Sequence, residues 1–263
     1  MGLSRLMRGG TAIGTILLCT IITISLLHPG CAPQEKDPAK RLLAKAVKTL
    51  GGLDKTRSWT TRIERGTLTQ VRPGWGTLKA DCAFYVKKPG KLMMDQDFSA
   101  YDHPFYFEYY YSDGDAWAVV NANTHQNPRI TENLEDFMKD VDGLPYYYDA
   151  CDTFFLAGEV PDDSLFAGST ITRVGCVNDG DTVLFDISTE SHLPVRIIKQ
   201  GGATHIILDD YRKIGGITSS FHRTMYENGT MTADYLWQEV LFDEEIDDAL
   251  FEENRPPKQE STG

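Results

Sequence analysis

The sequence predicts a mainly β protein: one highly curved antiparallel sheet, or open barrel, of ten or eleven strands, with a leading helix and a helical insert. Three observations predict it. The 263 residues include 12 Tyr, 12 Phe and 4 Trp, and aromatic side chains suit pleated, half-buried surfaces. Several segments alternate apolar and polar residues with period two. The 23 Gly and 12 Pro fall largely between those segments, where short turns pair consecutive strands as antiparallel neighbours.

Hydrophobic residues make up 41% and charged residues 24% of the chain, which suits a folded core rather than a disordered polymer. Lys and Arg total 26 against 38 Asp and Glu, a net charge of −12. Such an acidic chain lacks the basic face that phosphate contacts need, so nucleic acid is not an expected partner. An apolar ligand stays open, because burial of a tail requires area and not charge. The charge also favours a soluble monomer.

The chain starts with Arg5 and Arg8 and no acid, then runs uncharged from Thr11 to Leu27 into Pro29-Gly30-Cys31. A basic start, an apolar run and a small-residue exit describe an export signal over residues 1–30. The uncharged run of 17 residues is short for a hydrocarbon layer of about 30 Å; a retained transmembrane anchor is the alternative. Gly30-Cys31 resembles the end of a bacterial lipoprotein signal, although His28 and Pro29 depart from that pattern. Cys31 is therefore the candidate lipidation site, and residues 31–38 read as a polar tether. Position 32 is Ala, not Asp, which in the lipoprotein pattern implies the outer membrane. Cleavage removes two positive charges and moves the net charge from −12 to −14.

Asp37-Pro38 reads as a helix cap and first turn. Leu42, Leu43, Ala46, Val47 and Leu50 follow at helical spacing, and Gly51-Gly52 ends the helix. The period then changes. Residues 59–71 and 76–87 read as strands around Arg72-Pro73-Gly74, with Leu78, Ala80, Cys82, Phe84 and Val86 on one face. Strands over 91–99, 105–111 and 116–121 complete a first meander. Residues 131–158 break the pattern: Leu134, Phe137, Met138 and Val141 form one helical stripe, and Leu144, Tyr148, Cys151 and Phe155 a second, ended by Gly158. Strands resume from Ser169, with a hairpin at Asn178-Asp179-Gly180-Asp181 and further strands over 194–200, 203–213, 217–227 and 230–242. Beyond Phe251 the tail is polar and expected to fray.

Catalytic chemistry is not evident. His103, His125, His192, His205 and His222 have no metal-ligand spacing among them, and there is no C-x-x-C, nucleophile elbow or phosphate loop. Asp209-Asp210 and Glu244-Glu245 are adjacent acids that point to opposite strand faces. No cofactor, metal or enzymatic activity is expected. For Cys82, Cys151 and Cys176, one disulfide plus a free thiol and three buried thiols both fit.

Several short segments read together. They are Leu50-Gly51-Gly52-Leu53-Asp54-Lys55, Lys87-Lys88-Pro89-Gly90-Lys91-Leu92 and Ser112-Asp113-Gly114-Asp115-Ala116-Trp117. Phe185-Asp186-Ile187, Leu193-Pro194-Val195-Arg196, Asp210-Tyr211-Arg212, Gly215-Gly216-Ile217 and Ile246-Asp247-Asp248-Ala249-Leu250-Phe251 follow in order. This order resembles the outer-membrane lipoprotein-sorting protein family of the LolA/LolB-like superfamily, over residues 39–252, with 253–263 left as a tail. The resemblance implies a half-open antiparallel β-barrel of about eleven strands with helices as a lid. It also implies a non-enzymatic pocket for lipid or for the acyl chains of lipoproteins on the periplasmic side of the bacterial envelope; the N-terminal segment, read as an anchor, departs from the family's carrier, which is soluble after export. An open barrel leaves a concave apolar surface that its own side chains do not fill. Candidate lining residues from the apolar strand faces are Phe84, Val86, Leu92, Met94, Phe107, Tyr109, Trp117, Val119, Val183, Phe185, Ile187, Ile206 and Leu208. The competing reading is an envelope lipoprotein that uses the same sheet to bind a protein partner.

Overall fold

The computed structural model describes residues 37–160, 170–178 and 180–256. The expected signal and Cys31 lie outside the described residues. Among the described residues, thirteen strands form one antiparallel sheet that does not close into a barrel. β1 (Thr61–Arg72), β2 (Gly76–Lys87), β3 (Lys91–Asp97), β4 (Tyr106–Ser112), β5 (Asp115–Val120) and β6 (Asn123–His125) make one meander. β7 (Thr153–Glu159), β8 (Ile171–Asn178), β9 (Asp181–Ser188), β10 (Pro194–Lys199), β11 (Thr204–Ile214), β12 (Ile217–Glu227) and β13 (Thr230–Phe242) make the other. First and last strands join them: β1 pairs with β13 from Arg62↔Phe242 to Gln70↔Ala233. The strand order is therefore β6-β5-β4-β3-β2-β1-β13-β12-β11-β10-β9-β8-β7, and the open edges are β6 and β7.

Among the described residues, four α-helices accompany the sheet. In α1 (Pro38–Thr49) the Asp37 carboxylate accepts the Ala39 N–H at 2.8 Å, and Pro38 opens the first turn. Its apolar stripe, Ala39, Leu43, Ala46 and Val47, is buried. Its end fits closely against the β11–β12 turn. The Thr218 N–H donates to Leu50 O at 2.9 Å. A Cβ on Gly51, at φ +122°, would stand 2.7 Å from Gly216 O, so this junction needs glycine. α2 (Leu53–Ser58) leads into β1. α3 (Pro128–Asp142) is capped by Asn127, whose side chain accepts the Ile130 N–H at 3.0 Å, and Gly143 turns it into α4 (Leu144–Ala150).

The core has three parts. On the helix-bearing face, Leu68, Leu78, Phe84, Val86, Leu92, Met94 and Trp237 share one cluster with Leu134 and Val141 of α3, while Val174, Val183, Phe185, Ile187 and Ile197 share another with residues of α1 and α4. On the opposite face Ile63, Met93, Tyr110, Trp117 and Val119 pack against Ile246 and Phe251.

Three expectations need correction. The strand count is thirteen rather than ten or eleven, because β6 and β7 form the edges. The second helical stripe does not run to Gly158. α4 stops at Cys151, and Thr153–Glu159 becomes an edge strand in which Phe155 lies opposite Gly175 and packs its ring there. Pairing with β8 overrides a helical spacing that Leu144, Tyr148, Cys151 and Phe155 satisfy. The tail does not fray directly after Phe251. Trp117 Nε1 donates to Glu253 O at 3.2 Å, Ser112 Oγ donates to Glu252 at 2.7 Å, and Arg255 pairs with Asp115 at 2.5 Å. Residues 257–263 lie outside the described residues.

Candidate functional site

The sheet and helices line a partly open cavity of about 120 Å³ near the β1–β13 seam. Phe84, Tyr235, Trp237, Met225, Ile206, Leu208 and Ile197 form its sheet side. Phe137 and Val141 of α3, with Leu144 and Pro145 of α4, roof it, and Leu50 and Trp59 close one flank. Strand alternation explains the sheet side: Tyr235 and Trp237 point inward two residues apart, stacked at 5.4 Å between ring centroids, and Phe84 meets Trp237 edge-on at 4.9 Å.

One end of the cavity is polar. Arg62 and Glu64 sit two residues apart on β1 and share the inner face; both are buried. Arg62 donates through Nη2 to Glu64 and, at 3.1 Å, to Ser219 Oγ; through Nη1 it donates to Val141 O at 2.8 Å. Arg223 on β12 donates to the same Glu64 oxygen at 2.7 Å. Burial lowers the Arg62 pKa; Glu64 opposes that shift and neighbouring Arg223 adds to it. Two ion pairs fasten the end of α3 to the sheet, Asp142 with Lys88 at 2.9 Å and Asp140 with Lys199. Burial raises the Asp140 pKa and Lys199 opposes it. Tyr211 and Tyr235, both half-buried at the cavity, have their phenol pKa values raised chiefly by desolvation. Among the described residues, no cluster of three or more His, Cys, Asp or Glu side chains is placed to hold a metal ion.

No family model matches the chain, and no curated protein matches it in sequence. Solved structures do match in shape. A DUF1329 family protein from Desulfovibrio piger superposes with a TM-score of 0.56 at 15% identity, over 83% of this chain and 98% of its own. A domain from Vibrio parahaemolyticus named for outer membrane lipoprotein sorting gives 0.52 at 10% identity, over 81% and 98%. A LolA superfamily protein from Nitrosomonas europaea gives 0.53 at 9% identity, over 81% and 96%. The chain has a LolA-like fold. At these identities the likeness concerns architecture alone.

Within this LolA-like sheet the thirteen candidate lining residues separate into four groups. Phe84, Ile206 and Leu208 wall the cavity. Val86, Leu92, Met94, Phe107 and Tyr109 share its face but pack with the α3 cluster. Val183, Phe185 and Ile187 are buried with α1 and α4. Trp117 and Val119 occupy the opposite face, against Ile246 and Phe251. That last placement corrects the face assigned to β5. Every residue from Ala116 to Val120 is apolar, so alternation does not choose a side, and the smaller Ala116 is the one in the inner cluster.

Sequence reading passed over Arg62, Glu64, Arg223 and Trp237. On β1 the usual pattern is inverted: the charges face inward, and apolar Ile63 faces the segment after β13. The recognisable signal was Tyr235-x-Trp237, two large aromatics on one strand face.

Proposed function

We propose that this is a non-catalytic, membrane-anchored protein of the bacterial periplasm that binds lipid or the acyl chains of lipoproteins, acting in lipoprotein sorting to the outer membrane. Cys31 is the proposed anchor. The chain would lie between the sheet and the α3–α4 roof, against Phe84, Ile206 and Leu208. The observation that carries this reading is the cavity itself: an apolar space at a helix–sheet junction in a LolA-like fold. The name of the Vibrio parahaemolyticus domain supports the sorting role.

Volume sets a condition on the mechanism. The cavity of about 120 Å³ is smaller than the ~150 Å³ apolar cavity that admits benzene. A full acyl chain therefore enters only as α3 and α4 move off the sheet. Each methylene that it buries returns about 0.8 kcal/mol, which offsets the roof contacts it displaces. The small resting volume also favours the second reading, a protein-binding envelope lipoprotein whose cavity stays filled by side chains.

Native mass spectrometry on the protein, purified from bacteria without detergent, separates the two. An added mass of lipid size, lost on organic extraction, is the expected result. A clean apo mass with no uptake of added phospholipid or lipopeptide would overturn lipid binding and leave the protein-binding reading.

A further inference from the structure

The polar end of the cavity holds an unbalanced charge. Arg62 and Arg223 both bond to Glu64, so one carboxylate serves two guanidinium groups. The next groups outward cancel in pairs, Asp142 with Lys88 and Asp140 with Lys199. One positive charge remains in surroundings built from Phe84, Tyr235, Trp237 and Phe242. A cation in such a low-dielectric place is costly unless matched.

Hydrogen bonding points the same way. Arg62 is 6% exposed, and its Nε has no hydrogen-bond partner among the described residues; neither has Trp237 Nε1. Both residues line the cavity, and both atoms are donors. Arg223 lies beside them, its guanidinium 6.0 Å from the Trp237 ring centre. Ser219 Oγ accepts from Arg62, and the single Ser220 O–H has Asp209 O and His222 O within hydrogen-bond distance as alternative acceptors. Asp142 Oδ1, an acceptor at the wall without a hydrogen bond, stands 2.9 Å from the Lys88 ammonium. A buried Arg–Glu–Arg group by itself can be structural. Unused donors on a cavity wall, next to a net positive charge, ask for an acceptor with negative charge.

Resting on the lipid-binding reading, we propose that the ligand is a singly anionic amphiphile. Its carboxylate or phosphodiester would seat on Arg62 and Arg223, and its acyl chain would run along the apolar wall beneath α3 and α4. Guanidinium groups bind both anions through paired N–H donors.

The test compares four probes on the full chain: palmitate, phosphatidylglycerol, methyl palmitate as an uncharged chain, and acetate as a chainless anion. At least one anionic lipid should bind about tenfold or more tightly than methyl palmitate, the size expected of a hydrogen bond to a charged group. The tighter of the two identifies the headgroup, and acetate should not bind measurably. Arg223→Gln, which leaves Glu64 paired with Arg62, should bring the anionic lipid down to the level of methyl palmitate measured on the same variant. Equal binding of charged and uncharged chains would overturn this proposal and leave lipid binding intact. Acetate binding as tightly as palmitate would also overturn it. Binding of neither lipid class would remove the lipid-binding reading as well. If Arg223→Gln fails to fold, as circular dichroism would reveal, the comparison of probes on the unaltered chain decides.

Discussion

Asp186 is fully buried on β9 and gathers two arginines: Arg173 Nε at 2.7 Å on one oxygen, Arg196 Nε at 2.7 Å on the other. Its carboxylate holds β8, β9 and β10 together from the middle strand. Replacing it with Ala leaves buried Arg196 without this anion, a change that costs about 3–5 kcal/mol in comparable buried pairs. Urea denaturation should show a loss of that size for Asp186→Ala, and a loss below about 1 kcal/mol would contradict the role given to it. Asp95 acts in the opposite sense. It faces Glu108 across β3–β4, and burial, then Glu108, then Asp97 raise its pKa to about 6. An unfolded Asp titrates near 3.9. Between those values the folded chain holds the extra proton, so the contribution of Asp95 to stability falls as pH rises from about 4 to about 6. Asp95→Asn should therefore raise Tm at pH 7.5 by about 1–3 °C, and the gain should vanish near pH 4. A gain independent of pH would refute the assignment.

Elements show where sequence was a sufficient guide and where tertiary contacts took over. α1 was legible because its cap, stripe and glycine stop are local, and β2 because its inner residues alternate without interruption. β7 was not: its residues fit a helical spacing, and only pairing with β8 makes them a strand. β5 was legible as a strand but not in its facing, because Ala116–Val120 is apolar throughout and the cover over Trp117 comes from residues beyond position 245. Cys151 and Cys176 also meet only in three dimensions. Cys151 ends α4 and Cys176 lies on β8, with Sγ atoms 2.6 Å apart, while Cys82 lies in the inner core beneath α3. In an oxidising compartment the two thiols should each give up one electron and one proton to a disulfide-donating oxidant. Peptide mapping without reduction should find Cys151 joined to Cys176 and Cys82 as a thiol. Reduction should then cost about 3 kcal/mol of stability. A cross-link that includes Cys82 would contradict the placement.

At the scale of the whole molecule, thirteen antiparallel strands meet through β1 and β13, and the helices lie over one face. Period-two alternation and turn chemistry made that architecture readable, since both are local. The cavity was less readable. Three of its wall residues stood among the candidates, Phe84, Ile206 and Leu208, but its charged end depends on β1 and β12 coming within bonding distance across β13. No local pattern encodes that meeting. The central claim is that an acyl chain lies between the inner face and the α3–α4 roof. A palmitate analogue carrying a diazirine on the chain, photolysed on the full protein and mapped by peptide mass spectrometry, tests it directly. The account predicts adducts at Phe137, Val141 and Leu144 on one side and Ile206, Leu208 and Met225 on the other. Adducts confined to Met93, Trp117 and Val119 on the opposite face, or none at all, would contradict it.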